Sequence, residues 1–200
     1  MKASLIILSF FAVGLLLGIY RILPVQWLEY EFSFYVLCAL MFSVGFSIGH
    51  QPQTVKQFKT IPIRIVFLPL TTIVGTLAGA FVVVFLTNHS ASDVLAVASG
   101  MGYYSLSSIL ITQYKGIELG TIALLANIFR EVLALLLAPF LVKYFGKLAP
   151  IAAGGATTMD TTFPGIVRYS GKEFSIVSIY HGFITDLSVP FLVTLSCSLL

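Results

Sequence analysis

The chain has 200 residues, of which 58% are hydrophobic and 10% charged, with a mean hydropathy of +1.01 and a formal net charge of +3. Soluble domains carry roughly 25% charged residues, so this composition excludes a soluble enzyme or binding module and points to an integral membrane protein. The cations are scattered through short loops, where they report orientation, and they argue against a nucleic-acid partner.

At roughly 20 residues per crossing, the length accommodates about seven membrane segments. Lys2 and the apolar run 4–20 resemble a signal peptide, yet no small-residue cleavage pattern follows and Arg21 closes the run, so a retained first helix is expected over 4–22. Further spans are expected at 32–49 and 65–87. Between them His50, Lys56, Lys59 and Arg64 form a basic loop suited to the cytoplasmic face. Cys38 and Cys197 sit in apolar runs without metal or disulfide spacing. Asn88-His89-Ser90 fits a glycosylation pattern too short and frequent to carry weight.

Residues 94–112 form a first broken stretch. Ser99-Gly100-Met101-Gly102-Tyr103-Tyr104-Ser105-Leu106-Ser107-Ser108 is too rich in Gly and Ser for an ordinary membrane helix, and unwound backbone is tolerated at that depth only where protein or water satisfies it. Close helix packing through small residues is the plainer reading. The tyrosines are not needed for packing, and they favour a ligand site.

The helix expected at 121–142 carries Asn127, Arg130 and Glu131 at i, i+3 and i+4, on one face. A charge in such a run costs a few kcal/mol, so Glu131 is a functional-site candidate by default. Arg130 suits either of two roles, neutralising Glu131 or Asp160, or gripping a substrate carboxylate with its planar fork.

A second broken stretch, 148–167, places Asp160 among Thr157, Thr158, Thr161 and Thr162 ahead of Pro164. Hydroxyls and half-helix ends would converge there on one carboxylate. The last span, 174–199, carries His181 with Ser178 and Thr185 on its face, and Asp186. His181 reads first as a satisfied packing histidine and second as a proton relay. Asp186 reads as a group bonding backbone loosened by Pro190.

If both broken stretches are re-entrant hairpins, Lys143 and Lys147 join the cytoplasmic cations and Lys115 leaves them, which sharpens the positive-inside bias. A weak repeat points the same way. Gly100 and Tyr114-x-Gly116-x-Glu118 recur as Gly155 and Tyr169-x-Gly171-x-Glu173, 55 positions on, and Pro139-Phe140-Leu141-Val142 recurs as Pro190-Phe191-Leu192-Val193. One hairpin plus one spanning helix is an odd number of crossings, so the copies would be inverted, as in many secondary transporters. The fold class expected is an all-α polytopic membrane protein of about seven segments, two of them broken. It forms one domain over 1–200, with three scaffold helices at 4–92 and repeat units at 93–146 and 147–200.

The run Ala98-Ser99-Gly100-Met101-Gly102-Tyr103-Tyr104-Ser105-Leu106-Ser107, the Asn127-x-x-Arg130-Glu131 face, Gly155-Ala156-Thr157-Thr158-Met159-Asp160 and His181-Gly182-Phe183 together resemble the LysO lysine-exporter family. The resemblance is strongest over residues 95–190 and weakens over the first 60. It implies a bacterial inner-membrane exporter of L-lysine and its analogues, driven by proton exchange, with Glu131 and Asp160 as intramembrane acids. The binding set it implies adds Arg130, Asn127, Gly100, Gly102, Tyr103, Tyr104, Ser105, Thr158 and His181, with no metal or cofactor. Longer family members carry additional N-terminal helices, so a small membrane subunit or a second copy of this chain is an implied partner.

Lysine brings two ammonium groups and one carboxylate, and two acids and one Arg match that set. Competition of protons and lysine for the same carboxylates is a minimal antiport mechanism. Three rival readings remain: a transporter of another organic ion, a non-transporting subunit of a split exporter, and an intramembrane aspartyl protease pairing Asp160 with Asp186. The last lacks the Gly-x-Gly-Asp pattern of such enzymes, and no enzyme activity is expected.

Overall fold

The computed structural model describes residues 61–87 and 89–199, with isolated positions before them. The chain divides into a unit of Met1–Ser47 and a unit of Ile48–Leu200, and the second is described below. The spans expected at 4–22 and 32–49, together with Lys2, Arg21, Cys38, Lys56, Lys59 and Asn88, lie outside the described residues.

Among the described residues every regular element is helical. After a single turn at Ile63–Val66, helix α1 (Leu68–Val84) opens on Pro69, whose missing N–H falls where a helix has no partner for one. Helix α2 (Ala91–Ala98) is capped by Ser90, whose hydroxyl accepts the Asp93 amide at 3.1 Å. It stops in the Ser99–Gly102 turn, and α3 (Tyr104–Lys115) resumes beyond it. Helix α4 (Ile117–Phe145) is followed by α5 (Ala149–Gly154), a 3₁₀ segment (Gly155–Met159) and α6 (Phe163–Ser170). A 3₁₀ turn at Lys172–Phe174 then leads into α7 (Ser175–Ser198). Both expected broken regions are therefore paired short helices around a non-helical turn.

Among the described residues two stretches are long and apolar enough to cross a membrane: α4, with 29 residues, and Lys172–Ser198, with 27. At 1.5 Å per residue α4 is about 43 Å long, well beyond the roughly 30 Å of a bilayer core. Its burial pattern inverts that of a soluble protein. The buried positions are Leu119, Gly120, Ala123, Asn127, Ala134 and Ala138, repeating every three or four residues, while Leu125, Phe129, Leu133, Leu136 and Phe140 are exposed. Small residues inside and bulky ones outside is how helices pack when the surroundings are as apolar as leucine.

The two halves of this unit share one order of elements. In the first, α2, a break and α3 reach a glycine joint at Gly116 and then the long α4 with Pro139 inside it. In the second, α5, a break and α6 reach Gly171 and then α7 with Pro190 inside it. Both joints need glycine, since their φ values are +95° and +109°. Helix α3 lies along α4, and α7 packs on α1, α2, α3 and the 3₁₀ segment.

Candidate functional site

The breaks touch through backbone. The amide of Ala156 donates to the carbonyl of Met101 at 2.9 Å. The approach is close because both sides are glycine-rich. A Cβ at Gly102 would meet Gly154 O at 3.1 Å, and one at Gly155 would overlap the Met101 carbonyl. Backbone strain collects here too, with Met101 at φ +46° and Gly155 at +65°. A non-glycine residue at positive φ often marks a functional constraint.

Helix α4 ties both breaks down with two side chains. Asn127 Oδ1 accepts the Gly102 amide at 2.7 Å, and its Nδ2 donates to Val97 O at 3.2 Å and Ala123 O at 2.9 Å. Gly100 leaves room for that amide, since a Cβ there would collide with Asn127 Nδ2 and sit 2.7 Å from Ser107 Oγ. One turn on, Arg130 Nε donates to Ala153 O at 3.0 Å, Nη2 to Ala152 O at 3.4 Å and Nη1 to Thr76 Oγ1 at 3.3 Å. A cation at the carbonyl end of α5 satisfies groups the helix leaves open and suits the helix dipole. Those contacts use three of its five N–H groups. Among the described residues it makes no ion pair with Glu131 or Asp160.

The second break is held from α7. Thr158 Oγ1 donates to Gly155 O at 2.8 Å or Ser178 O at 3.0 Å, and Ser178 Oγ donates to Thr158 O at 2.6 Å. His181 is fully buried between two hydroxyls, with Thr72 Oγ1 2.9 Å from Nε2 and Thr158 Oγ1 3.3 Å from Nδ1. Both ring nitrogens are met, so His181 links α1, the 3₁₀ segment and α7.

The acids gather around the start of α3. Asp160 is exposed at the end of the 3₁₀ segment, and its Oδ1 accepts the Thr161 amide at 2.5 Å and the Thr161 hydroxyl at 3.3 Å. Glu131 is partly buried. Tyr104 lies within Coulombic reach of Glu131 and Asp160, and Tyr103 within reach of Asp186 and Asp160. Ser105 is exposed on the same turn. Sequence reasoning assigned Asp186 to backbone near Pro190. That proline frees the carbonyl of residue 186, an acceptor that a carboxylate cannot bond. Asp186 makes no hydrogen bond or ion pair among the described residues, and it is 4% exposed.

A cavity of about 380 Å³ opens between α1, α2 and α4, within the range of small-molecule sites, about 300–1,000 Å³. It is mostly apolar, and its polar lining is Thr76, Thr87, His89, Asp93, Asn127 and Arg130. A second cavity, about 430 Å³, shares His89, Asp93, Leu119 and Ile122 with it and adds Ser90, Lys115 and Glu118. There Lys115 Nζ pairs with Asp93 Oδ1 at 3.4 Å. Burial pushes the Asp93 carboxyl up, but the Ser90 hydroxyl and Lys115 outweigh it and hold the group below its ordinary value.

Residues 8–197 match the family model described as "Lysine exporter LysO". The Escherichia coli protein named "Lysine exporter LysO" is 35% identical over 163 residues, which cover 82% of this chain and 54% of that one. A Haemophilus influenzae protein named "Putative lysine exporter" is 31% identical over 188 residues, covering 93% and 94% respectively. The chain thus spans about half the length of the Escherichia coli relative. No solved structure matches it.

Proposed function

Since this chain belongs to the lysine exporter LysO family, we propose that it moves L-lysine and related cationic amino acids outward across the bacterial inner membrane in exchange for protons. The observation that carries this reading is the meeting of the two breaks at Met101 and Ala156, with carboxylates on both long helices nearby. Those two residues are 55 positions apart, the offset of the sequence repeat. An inverted pair of re-entrant units around a central site is the arrangement this reading adopts.

In this reading Glu131 and Asp160 bind the substrate's ammonium groups, and protons take the same oxygens when the substrate leaves. Arg130 reaches the substrate carboxylate with the N–H groups that α5 and Thr76 leave over, from the wall of the cavity it shares with Asn127. Tyr103 and Tyr104 stand beside the acids as hydroxyl donors, and Gly100, Gly102, Ser105 and Thr158 shape the breaks that carry them. His181 is a structural link in the second break. The test is lysine efflux from proteoliposomes: Glu131→Gln and Asp160→Asn are each expected to abolish it, and export at the parental rate by either variant refutes the carboxylate mechanism.

A second reading is that the chain acts as one subunit of a split exporter, alongside a small membrane protein or a second copy of itself. Reconstitution of this chain alone separates the two, because the subunit reading expects no efflux without the partner.

A further inference from the structure

The repeat makes a statement about residues outside the breaks. Gly100 corresponds to Gly155, Met101 to Ala156 and Gly116 to Gly171, all at an offset of 55. The first pair lies in the breaks, the second pair is hydrogen-bonded, and the third forms the positive-φ joints that launch the long helices. Carried along those helices, the same offset takes Glu131 to Asp186. Counted from the two joints, the fifteenth residue is Glu131 on α4 and Asp186 on α7, whereas the Pro-Phe-Leu-Val match further along the same helices runs at an offset of 51.

The surroundings of the two acids are matched as well. Glu131 lies within reach of Tyr104 and Asp186 within reach of Tyr103, adjacent residues at the start of α3, while Asp160 lies within reach of both tyrosines and of Asp186. Asp186 is 4% exposed and has no hydrogen-bond or ion-pair partner among the described residues. A buried carboxylate kept for structure is held by donors, because an unpaired one is costly. One left open is compensated by whatever enters the site.

We propose that Asp186 is a cation-binding residue of the transport site, the second unit's counterpart of Glu131: Glu131 takes one ammonium group of the substrate, and Asp186 shares the other with Asp160. The proposal rests on the transport reading above and deepens it. It explains how one chain recognises a molecule with two separated positive charges: Glu131 offers negative charge at one point, and Asp186 with Asp160 at the other. A substrate with one ammonium group would leave one acid unmatched, so the pair sets specificity for dibasic amino acids.

Carbodiimide labelling of the purified full chain, read by peptide mass spectrometry, tests this without a mutation. L-lysine is expected to protect both Asp186 and Glu131, and L-norleucine, which has the same carbon chain but no side-chain ammonium, to protect at most one. Protection of Glu131 alone overturns the role of Asp186 and leaves the transport reading standing, whereas protection of neither overturns both. Calorimetric titration of L-lysine supplies the affinities. Asp186→Asn is expected to weaken lysine binding roughly 30-fold or more while norleucine binding changes little, and Asp186→Glu to recover part of the loss. Lysine binding by Asp186→Asn within about twofold of the parent refutes the proposal.

Discussion

Replacing Asn127 by Ala isolates what holds the first break together. Of the three groups its amide meets, two keep other partners. The Val97 carbonyl still accepts the Gly100 amide at 3.3 Å, and Ala123 O keeps its bond within α4. Gly102 is different, since the Asn127 Oδ1 contact at 2.7 Å is the one bond its amide makes among the described residues. Orphaning a buried N–H costs about 1–3 kcal/mol, and the void beside Gly100 adds to that, so Asn127→Ala is expected to destabilise by about 2–4 kcal/mol. The control is Ile128→Ala, which deletes more apolar volume from the same helix at an outward position 36% exposed. It is expected to cost less than about 1 kcal/mol, as outward substitutions away from such features do. Unfolding of both variants in mixed micelles by denaturing detergent, followed by circular dichroism, gives the comparison. Asn127→Ala within about 0.5 kcal/mol of the parent, or Ile128→Ala the more damaging of the two, would refute the reasoning.

Gly155→Ala and Gly146→Ala place the same methyl group at positive φ in two settings. At Gly146 a Cβ meets nothing within 4 Å, so only the backbone term of about 1–2 kcal/mol applies; at Gly155 it meets the Met101 carbonyl, so a clearly larger drop in thermal midpoint is expected for that variant. Arg130→Lys keeps the charge but cannot span Ala152, Ala153 and Thr76 at once, so amide exchange in the Ala152–Met159 backbone is expected to rise almost as far as in Arg130→Ala. The Asp93 carboxyl titrates below 3.8 in the folded chain. Its contribution is therefore fully present above the unfolded value and lost as pH falls through the folded one; the acid limb of the stability profile is expected to flatten in Asp93→Asn.

Both breaks were legible, because Gly-x-Gly with flanking serines, and Gly-Gly-Ala-Thr-Thr ahead of a proline, cannot continue a membrane helix. The face of Asn127 and Arg130 was legible from spacing. What each holds was not, since the partners are backbone atoms of distant breaks, which have no side-chain identity in a sequence. Of the two roles open to Arg130, neutralising Glu131 or Asp160 is not what the described residues show, since the guanidinium goes to Ala152 O, Ala153 O and Thr76. Asp186 was read locally: a proline four residues on supplied a nearby reason for it, although the carbonyl that this proline frees is an acceptor a carboxylate cannot bond.

The hydrogen bond from Ala156 to Met101 has a mechanical consequence. It occupies a donor from one half and an acceptor from the other, so neither turn can rotate its peptide planes without stranding a polar group of its opposite number. A state in which both halves gape together would lose that bond with nothing in lipid to replace it. Leakage between the two breaks is thereby disfavoured by this one backbone contact.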